Sequence, residues 1–367
     1  MLAEQQTEEQ ITKTVLKGLT LKELKDFFTV ADEKRFRGEQ VFHWLYGHMV
    51  ESFDDMANVP KYLRRKLNAY CEIMTLSNLT SEMSPRTGTK KYIFQTKDDH
   101  KVEAVVIPDP KRTTLCISTQ VGCPLDCQFC ATGLMGYKRN LSPGEIFDQY
   151  LLAAKDYNPR SEITNIVYMG MGEPLLNFIN TLKSLQIFAE DKTKGISLRK
   201  ITVSTAGIAP KIIELANSGL RVKIALSLHS CFEETRSKLM PINKKYSLTD
   251  NLEAVRYYAK QTGTRITFEY ILLKDINDRQ DDLNALIRLC KSLPCKLNVI
   301  PYNSIHHMNP KGFAAELRPT TKIKLDEFVN KLRDNDVTVT VRYTQGEDIA
   351  AACGQLAYKL EHPDDLL

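Results

Sequence analysis

Between Thr113 and Ile300 short apolar runs alternate with longer amphipathic ones, and this rhythm most narrowly limits what the chain can become. The runs 114–118, 163–169, 200–204, 222–227, 265–272 and 297–300 are rich in apolar and β-branched residues and read as strands. Helical patterns fall between them. One opens at Ser142-Pro143-Gly144-Glu145, a capping box with proline at the first helical position, and runs to about Tyr157. Strands separated by helices argue for parallel βαβ units. Six units are too few for a complete eight-fold barrel. The expected fold is therefore α/β, a partial (βα)6 TIM-like barrel over 113–303, with its chemistry at the C-terminal ends of the strands.

The flanks read differently. Residues 1–90 are expected to form a small, mostly helical N-terminal accessory domain, because 21–28, 38–46 and 62–71 carry apolar residues at three- and four-residue spacing. Pro60 is expected in the first turn of the last of these helices. Residues 91–112 read as a β-hairpin and linker. Its strands, 90–95 and 101–107, flank a polar turn at Lys97-Asp98-Asp99, and Pro108 and Pro110 mark a boundary. Residues 304–367 form a C-terminal extension with a helix near 322–334, a strand at 337–343 and a last segment at 348–356.

Within the barrel region Cys123, Cys127 and Cys130 stand at spacings of four and three. Thiolates are soft ligands that suit iron–sulfur clusters or zinc. A four-iron cluster takes four ligands, so three cysteines leave one iron open to a small molecule. Zinc prefers four ligands, usually in two pairs. No second pair of zinc-finger spacing follows, since Cys290/Cys295 and His306/His307 lie far downstream. Polar or small residues also follow the predicted strands: Gly172-Glu173 in a Gly-Glu-Pro turn, Ser204, Ser227-Leu228-His229 and Asn303. Each alone fits an ordinary strand-to-helix turn, but together they form a ring at the strand ends. Cys116 and Cys353 are consistent with small buried hydrophobes. Cys71, Cys231, Cys290 and Cys295 read as structural.

Composition excludes several classes. With 43% hydrophobic and 26% charged residues, the chain is ordinary for a globular protein. No apolar run approaches a membrane span, and the acidic, polar first ten residues are not a signal peptide. Nine cysteines without a secreted framework suit a reducing cytoplasm. The net charge of +5 lies wholly beyond residue 100, because residues 1–100 are charge-balanced. Local basic clusters occur at Lys34-Arg35-Phe36-Arg37, 61–66 and Tyr137-Lys138-Arg139. They read either as solvated faces or as contacts for nucleic acid.

The cysteine spacing, with Phe129 before the last thiol, resembles the radical S-adenosylmethionine (SAM) superfamily. Phe36-Arg37-Gly38-Glu39-Gln40-Val41, Val102-Glu103-Ala104-Val105, Leu115-Cys116-Ile117-Ser118, Gln120-Val121-Gly122-Cys123, residues 169–175, Met240-Pro241-Ile242-Asn243, Pro301-Tyr302-Asn303 and residues 348–356 resemble the RlmN family of that superfamily. These are dual-specificity RNA adenine-C2 methyltransferases. The resemblance implies a radical SAM barrel, a [4Fe-4S] cluster on Cys123, Cys127 and Cys130, and SAM bound by Gly172, Glu173, Ser204, Ser227, Leu228, His229 and Asn303. It implies that Cys353 is methylated, that Cys116 resolves an RNA adduct through a transient disulfide, and that Glu103 acts as base. It further implies 23S rRNA and tRNA as substrates, a reductase as electron donor, no membrane, and a cytoplasmic monomer. The Cfr family, which acts on adenine C8, shares the two-cysteine chemistry; Gly172-Glu173-Pro174 and Pro301-Tyr302-Asn303 resemble RlmN instead. A zinc-stabilised RNA-binding module without catalysis is the alternative from another class.

Overall fold

In the computed structural model, which describes residues 13–157, 162–193, 195–343 and 345–356, the alternating runs become part of one ten-stranded sheet. Arg112–Ile117, Asn165–Tyr168, Ile201–Thr205, Lys223–Ser227, Ile266–Leu272 and Cys295–Pro301 pair in parallel, each with the next in chain order. The six expected strands are all present, their ends shifted by a residue or two. The helix Pro143–Asp156 begins at the expected capping box. Ser142 Oγ accepts the Glu145 amide, and Glu145 Oε2 accepts the Ser142 amide.

Both edges of the sheet carry more than six units require. Val339–Val341 lies parallel to Cys295–Pro301 as a seventh strand. On the other edge the hairpin strands Lys90–Thr96 and Lys101–Asp109 continue the sheet antiparallel, and Leu76–Met83 closes it. Leu76–Met83 lies inside the stretch expected to be mostly helical. Its sequence, Leu-Ser-Asn-Leu-Thr-Ser-Glu-Met, buries only Leu76, so an edge strand with two wet faces left no period-two signal to read. The N-terminal helices are Leu21–Val30, Phe36–Phe42 and Lys61–Tyr70; the second runs on as a π-helical turn, His43–His48. Pro60 stands just outside its helix as the cap rather than in the first turn.

Alternation along the parallel strands separates two interiors. Leu115, Ile117, Ile166, Tyr168, Ile201, Val203, Ile224, Leu226, Phe268, Tyr270, Leu297 and Val299 belong to the large apolar core that packs under the helices. The residues between them face the opposite way, into the barrel lumen: Cys116, Val167, Ser204, Ser227, Glu269 and Asn298. Register aligns these in rows. Val105, Cys116 and Val167 lie side by side, as do Ser227, Glu269 and Asn298.

The N-terminal region is fastened to the barrel through a buried ion pair. Lys17 Nζ lies 2.9 Å from Asp148 Oδ1 on the first barrel helix, and neither side chain is exposed. Asp148 Oδ2 accepts the Thr75 amide at 2.8 Å, the Thr75 hydroxyl at 2.5 Å and the Leu76 amide at 3.3 Å. Around it the Tyr46 hydroxyl accepts the Gly18 amide, and the Tyr46 ring meets Phe147 edge-on at 4.9 Å. Removing one partner of a buried pair strands the other charge. Asp148→Ala is expected to destabilise the protein by about 3–5 kcal/mol, read as a lower denaturation midpoint. Unchanged stability would show that this anchor is dispensable.

Candidate active site

The loop bearing Cys123, Cys127 and Cys130 leaves the short strand Gln120–Gly122 and ends at the helix Ala131–Leu134. All three are free, partly buried thiols, packed against an apolar cluster that includes Leu125, Phe129, Ile271, Ile300 and Tyr302. Burial pushes the three thiols up, Cys123 to about 12, and each feels the charge of another of the three or of Cys353. The Leu125 amide lies 3.5 Å from Cys123 Sγ. Among the described residues no three His, Cys, Asp or Glu side chains are drawn into a preformed metal-binding group. The donor set itself fits an iron–sulfur cluster: three thiols on one loop in an apolar wall, with backbone amides beside the sulfurs.

The strand-end residues stand around this loop. Gly172 has φ of +95°, and an added Cβ would come within 2.5 Å of the Gln120 side chain, so only glycine fits the turn. Gln120 Oε1 accepts the Glu173 amide at 2.8 Å. The buried Glu173 carboxylate accepts the Leu175 amide at 3.0 Å and the Ala206 amide at 2.7 Å. Burial nonetheless pushes it up to about 7. Ser204, one residue before the end of its strand, and Ser227, at the end of its own, lie on the lumen face, partly buried, while Leu228 is fully buried. His229 has φ of +54° and meets Phe129 edge-on at 4.5 Å. Its Nδ1 accepts the Ile271 amide at 3.1 Å, which leaves the proton of the neutral ring on Nε2. Burial, and then the nearby Arg236, push His229 down to about 3.

Arg236 organises these loops and escaped the sequence reading. It is fully buried on the helix Glu233–Leu239. Its guanidinium donates to the carbonyls of Ala206 at 2.6 Å, Ser227 at 2.9 Å and Leu228 at 3.1 Å, and to Asn243 Oδ1. One side chain thus ties two strand-end loops together. In sequence it is an ordinary helical arginine, and no signal marks it.

The C-terminal segment lies over the cysteine loop. The Ala131 amide donates to the Gly354 carbonyl at 2.7 Å and the Thr132 hydroxyl to the Leu356 carbonyl at 2.6 Å. Asn303 Nδ2 donates to the Cys353 carbonyl at 3.1 Å, and Gln355 Nε2 to the Ser304 carbonyl at 3.2 Å. Cys353 is thereby held near Cys130 and Cys116, whose thiols both feel its charge. Cys116 is buried with Val105, Met171, Ile349, Ala351 and Leu356, and burial pushes it up to about 12. Both Cys116 and Cys353 are free thiols, with no disulfide between them. Arg342, beyond the seventh strand, donates to Met169 Sδ at 3.1 Å and also faces Cys353; the sequence reading missed it too.

Glu103 shares the lumen face with Cys116, two residues along the strand from its register partner Val105. It is fully buried, neither carboxylate oxygen has a hydrogen-bond partner, and the Lys91 ammonium stands 3.5 Å away. Burial pushes Glu103 up to about 7.

A mostly parallel α/β barrel with three cysteines on the loop after its first strand defines a radical SAM protein, and the model of the Radical SAM superfamily matches residues 117–290. The model of the ribosomal RNA large subunit methyltransferase N-terminal domain matches residues 14–73. The dual-specificity RNA methyltransferase RlmN of Alcanivorax borkumensis is 41% identical over 352 residues, covering 94% of this chain and 90% of that one. The probable RlmN of Clostridioides difficile is 42% identical over 350 residues, covering 95% and 98%. A crystal structure of a radical SAM methyltransferase from Sphaerobacter thermophilus superposes with a TM-score of 0.85 at 38% identity, over 93% of this chain and 98% of that one. The chain belongs to the RlmN family of radical SAM RNA methyltransferases. No helix among the described residues is long and apolar enough to cross a membrane.

Glu103 gives a signed pH prediction. An unfolded glutamate titrates near about 4.3, so between that pH and about 7 the folded chain holds a proton that the unfolded chain has released. Stability therefore falls as pH rises through this window and is level above it. Glu103→Gln is expected to remove that fall and to stabilise the protein above pH 7 by up to about 3 kcal/mol. Denaturant titrations of both proteins at several pH values measure it; parallel pH profiles would refute the buried-acid assignment.

Proposed function

We propose that this enzyme methylates C2 of adenine in 23S rRNA, at the peptidyl-transferase centre, and in tRNA, at the adenine 3′ of the anticodon. In this reading Cys123, Cys127 and Cys130 hold a [4Fe-4S] cluster. Gly172, Glu173, Ser204, Ser227, Leu228, His229 and Asn303 line the SAM site. Cluster and SAM supply the methyl group and the hydrogen-atom abstraction that an electron-poor ring carbon requires. The observation that carries the reading is that Cys353 and Cys116, distant in sequence, are neighbours in space, with the C-terminal segment packed on the cysteine loop.

The chain's own residues divide the remaining work. Cys353, as thiolate, is the nucleophile that accepts a methyl group. After that carbon has bonded to adenine C2, Cys116 attacks the Cys353 sulfur. The bond from sulfur to carbon breaks, a Cys116–Cys353 disulfide forms, and the carbon takes a proton to become the product methyl. Glu103, whose affinity for protons lies near neutrality, accepts the proton lost from C2, and the one electron that must leave the ring with it would pass to the cluster held by Cys123, Cys127 and Cys130. A reductase returns two electrons and two protons to the disulfide. Cys353→Ala is expected to abolish transfer and leave the protein free of RNA. Cys116→Ala is expected to abolish release only, so the purified protein carries nuclease-sensitive RNA through denaturing electrophoresis. Identical, RNA-free behaviour of the two variants would end this assignment.

The N-terminal helices are proposed to grip the RNA backbone. Arg37 lies over the exposed Phe36 ring at 4.6 Å, and the exposed Tyr62 and Tyr70 stand on the basic helix Lys61–Tyr70. Aromatic faces among cations suit single-stranded RNA. Replacing Lys34, Arg37 and Lys61 together by alanine is expected to weaken tRNA binding and to lower the slope of log affinity against log salt by about two to three. An unchanged slope would place the RNA elsewhere.

A further inference from the structure

The lumen holds a buried carboxylate to which the reading above gives no task. Glu269 lies on the lumen face of Ile266–Leu272, only 4% exposed, between Ser227 and Asn298 in one register row. Its backbone carbonyl accepts the amides of Leu228 at 3.0 Å and His229 at 3.3 Å. It is thus fastened to the loop proposed to bind SAM. Ile271, the next residue up on the same face, packs in the cluster that holds Leu125 and Phe129 of the cysteine loop. Glu269 therefore sits roughly 7 Å deeper along the strand than that wall.

The two oxygens of Glu269 differ. Oε1 accepts from Asn298 Nδ2 at 2.9 Å. Asn298 Oδ1 in turn accepts the Thr340 hydroxyl, which fixes the orientation of the Asn298 amide. Oε2 is buried and no protein donor reaches it. Arg342 and Lys296 are the cations that face the carboxylate, and neither donates to Oε2. A buried carboxylate oxygen without a donor is costly, and native proteins rarely leave one so. Here the carboxylate, on the lumen face of its strand, is oriented by a side-chain relay and keeps one oxygen without a protein donor.

We propose that Glu269 Oε2 accepts a hydrogen bond from a donor of an adenosine bound in the lumen, an exocyclic amine or a ribose hydroxyl. The inference rests on the proposed function, in which both SAM and the target RNA carry adenosine. A carboxylate at this point favours N–H and O–H groups and repels a carbonyl, such as the one guanine presents where adenine has its amine.

The test uses full-length enzyme with reconstituted cluster, SAM and an anticodon stem-loop RNA. In Glu269→Gln the Asn298 amide keeps the new carbonyl at the Oε1 position, so an NH2 donor replaces the free acceptor at equal volume. Glu269→Asp keeps the charge facing Arg342 but withdraws the oxygen. Loss of a hydrogen bond to a charged group is expected to cost about tenfold or more in affinity or rate. If SAM is the source, both variants bind SAM that much more weakly while KM for RNA is unchanged. If the target adenine is the source, SAM binding and Cys353 methylation stay intact and RNA methylation falls by that factor. In that arm wild-type enzyme also loses the same factor on RNA with unsubstituted purine at the target, if the donor is the amine, or with 2′-deoxyadenosine there, if it is the ribose hydroxyl, and the variants lose nothing further.

A carboxylate that merely balances Arg342 predicts a lowered melting temperature for Gln, wild-type behaviour for Asp and no change in either ligand parameter; that result overturns the proposal. Should wild-type enzyme methylate no RNA, the proposed function fails, while the SAM-binding comparison still decides the role of Glu269.

Discussion

Everything in this molecule depends on one constraint of β geometry: successive side chains of a strand point to opposite faces. Each barrel strand spends one set of positions on the apolar core, with Phe268 and Tyr270 or Ile224 and Leu226 turned toward the helices. The alternate set is released from the duty of making core and supplies the lumen. Cys116, Ser204, Ser227, Glu269 and Asn298 are polar or small because their neighbours carry the stability. The same strands thereby hold the fold together and present the chemistry, and a one-residue slip in register would exchange the two.

Buried charge is the second organising element. Lys17 with Asp148 locks the N-terminal region to the first barrel helix, and Arg236 draws two strand-end loops to one guanidinium. Both are satisfied by several partners, as burial of charge requires. Glu103 and Glu269 are not satisfied in this way. Burial raises the proton affinity of each, and both lie on the lumen face. Each has cations near it, Lys91 for Glu103 and Arg342 and Lys296 for Glu269, yet carboxylate oxygens on the lumen face are left without hydrogen-bond donors, which is the pattern expected where reacting molecules complete the hydrogen bonding.

The C-terminal segment closes the site with backbone hydrogen bonds. Gly354 and Leu356 carbonyls receive donors from Ala131 and Thr132, just past the last cysteine of the motif, and Asn303, two residues past the sixth strand, holds the Cys353 carbonyl. Apart from the Gln355 amide, which donates to the Ser304 carbonyl, the segment contributes backbone carbonyls to these contacts and not side chains. That is why Ala351-Ala352-Cys353-Gly354 looks unremarkable in sequence.

Local patterns in the sequence determined the six parallel strands, the capping box at Ser142, the hairpin after residue 90 and the three-cysteine loop, because each is encoded by residues close together in the chain. The strand-end residues Gly172, Glu173, Ser227 and His229 were legible for the same reason, as residues that follow apolar runs. Other features required the folded chain. Leu76–Met83 is a strand only because Lys90–Thr96 offers it an edge, and Val339–Val341 joins the barrel sheet only because Cys295–Pro301 leaves one open. The roles of Arg236, Arg342 and Glu269 come from what surrounds them, and their own neighbours in sequence carry no trace of it. Tertiary structure alone brought Cys353 to Cys116, since the hydrogen bonds that hold the C-terminal segment in place link residues with no local relation in the chain.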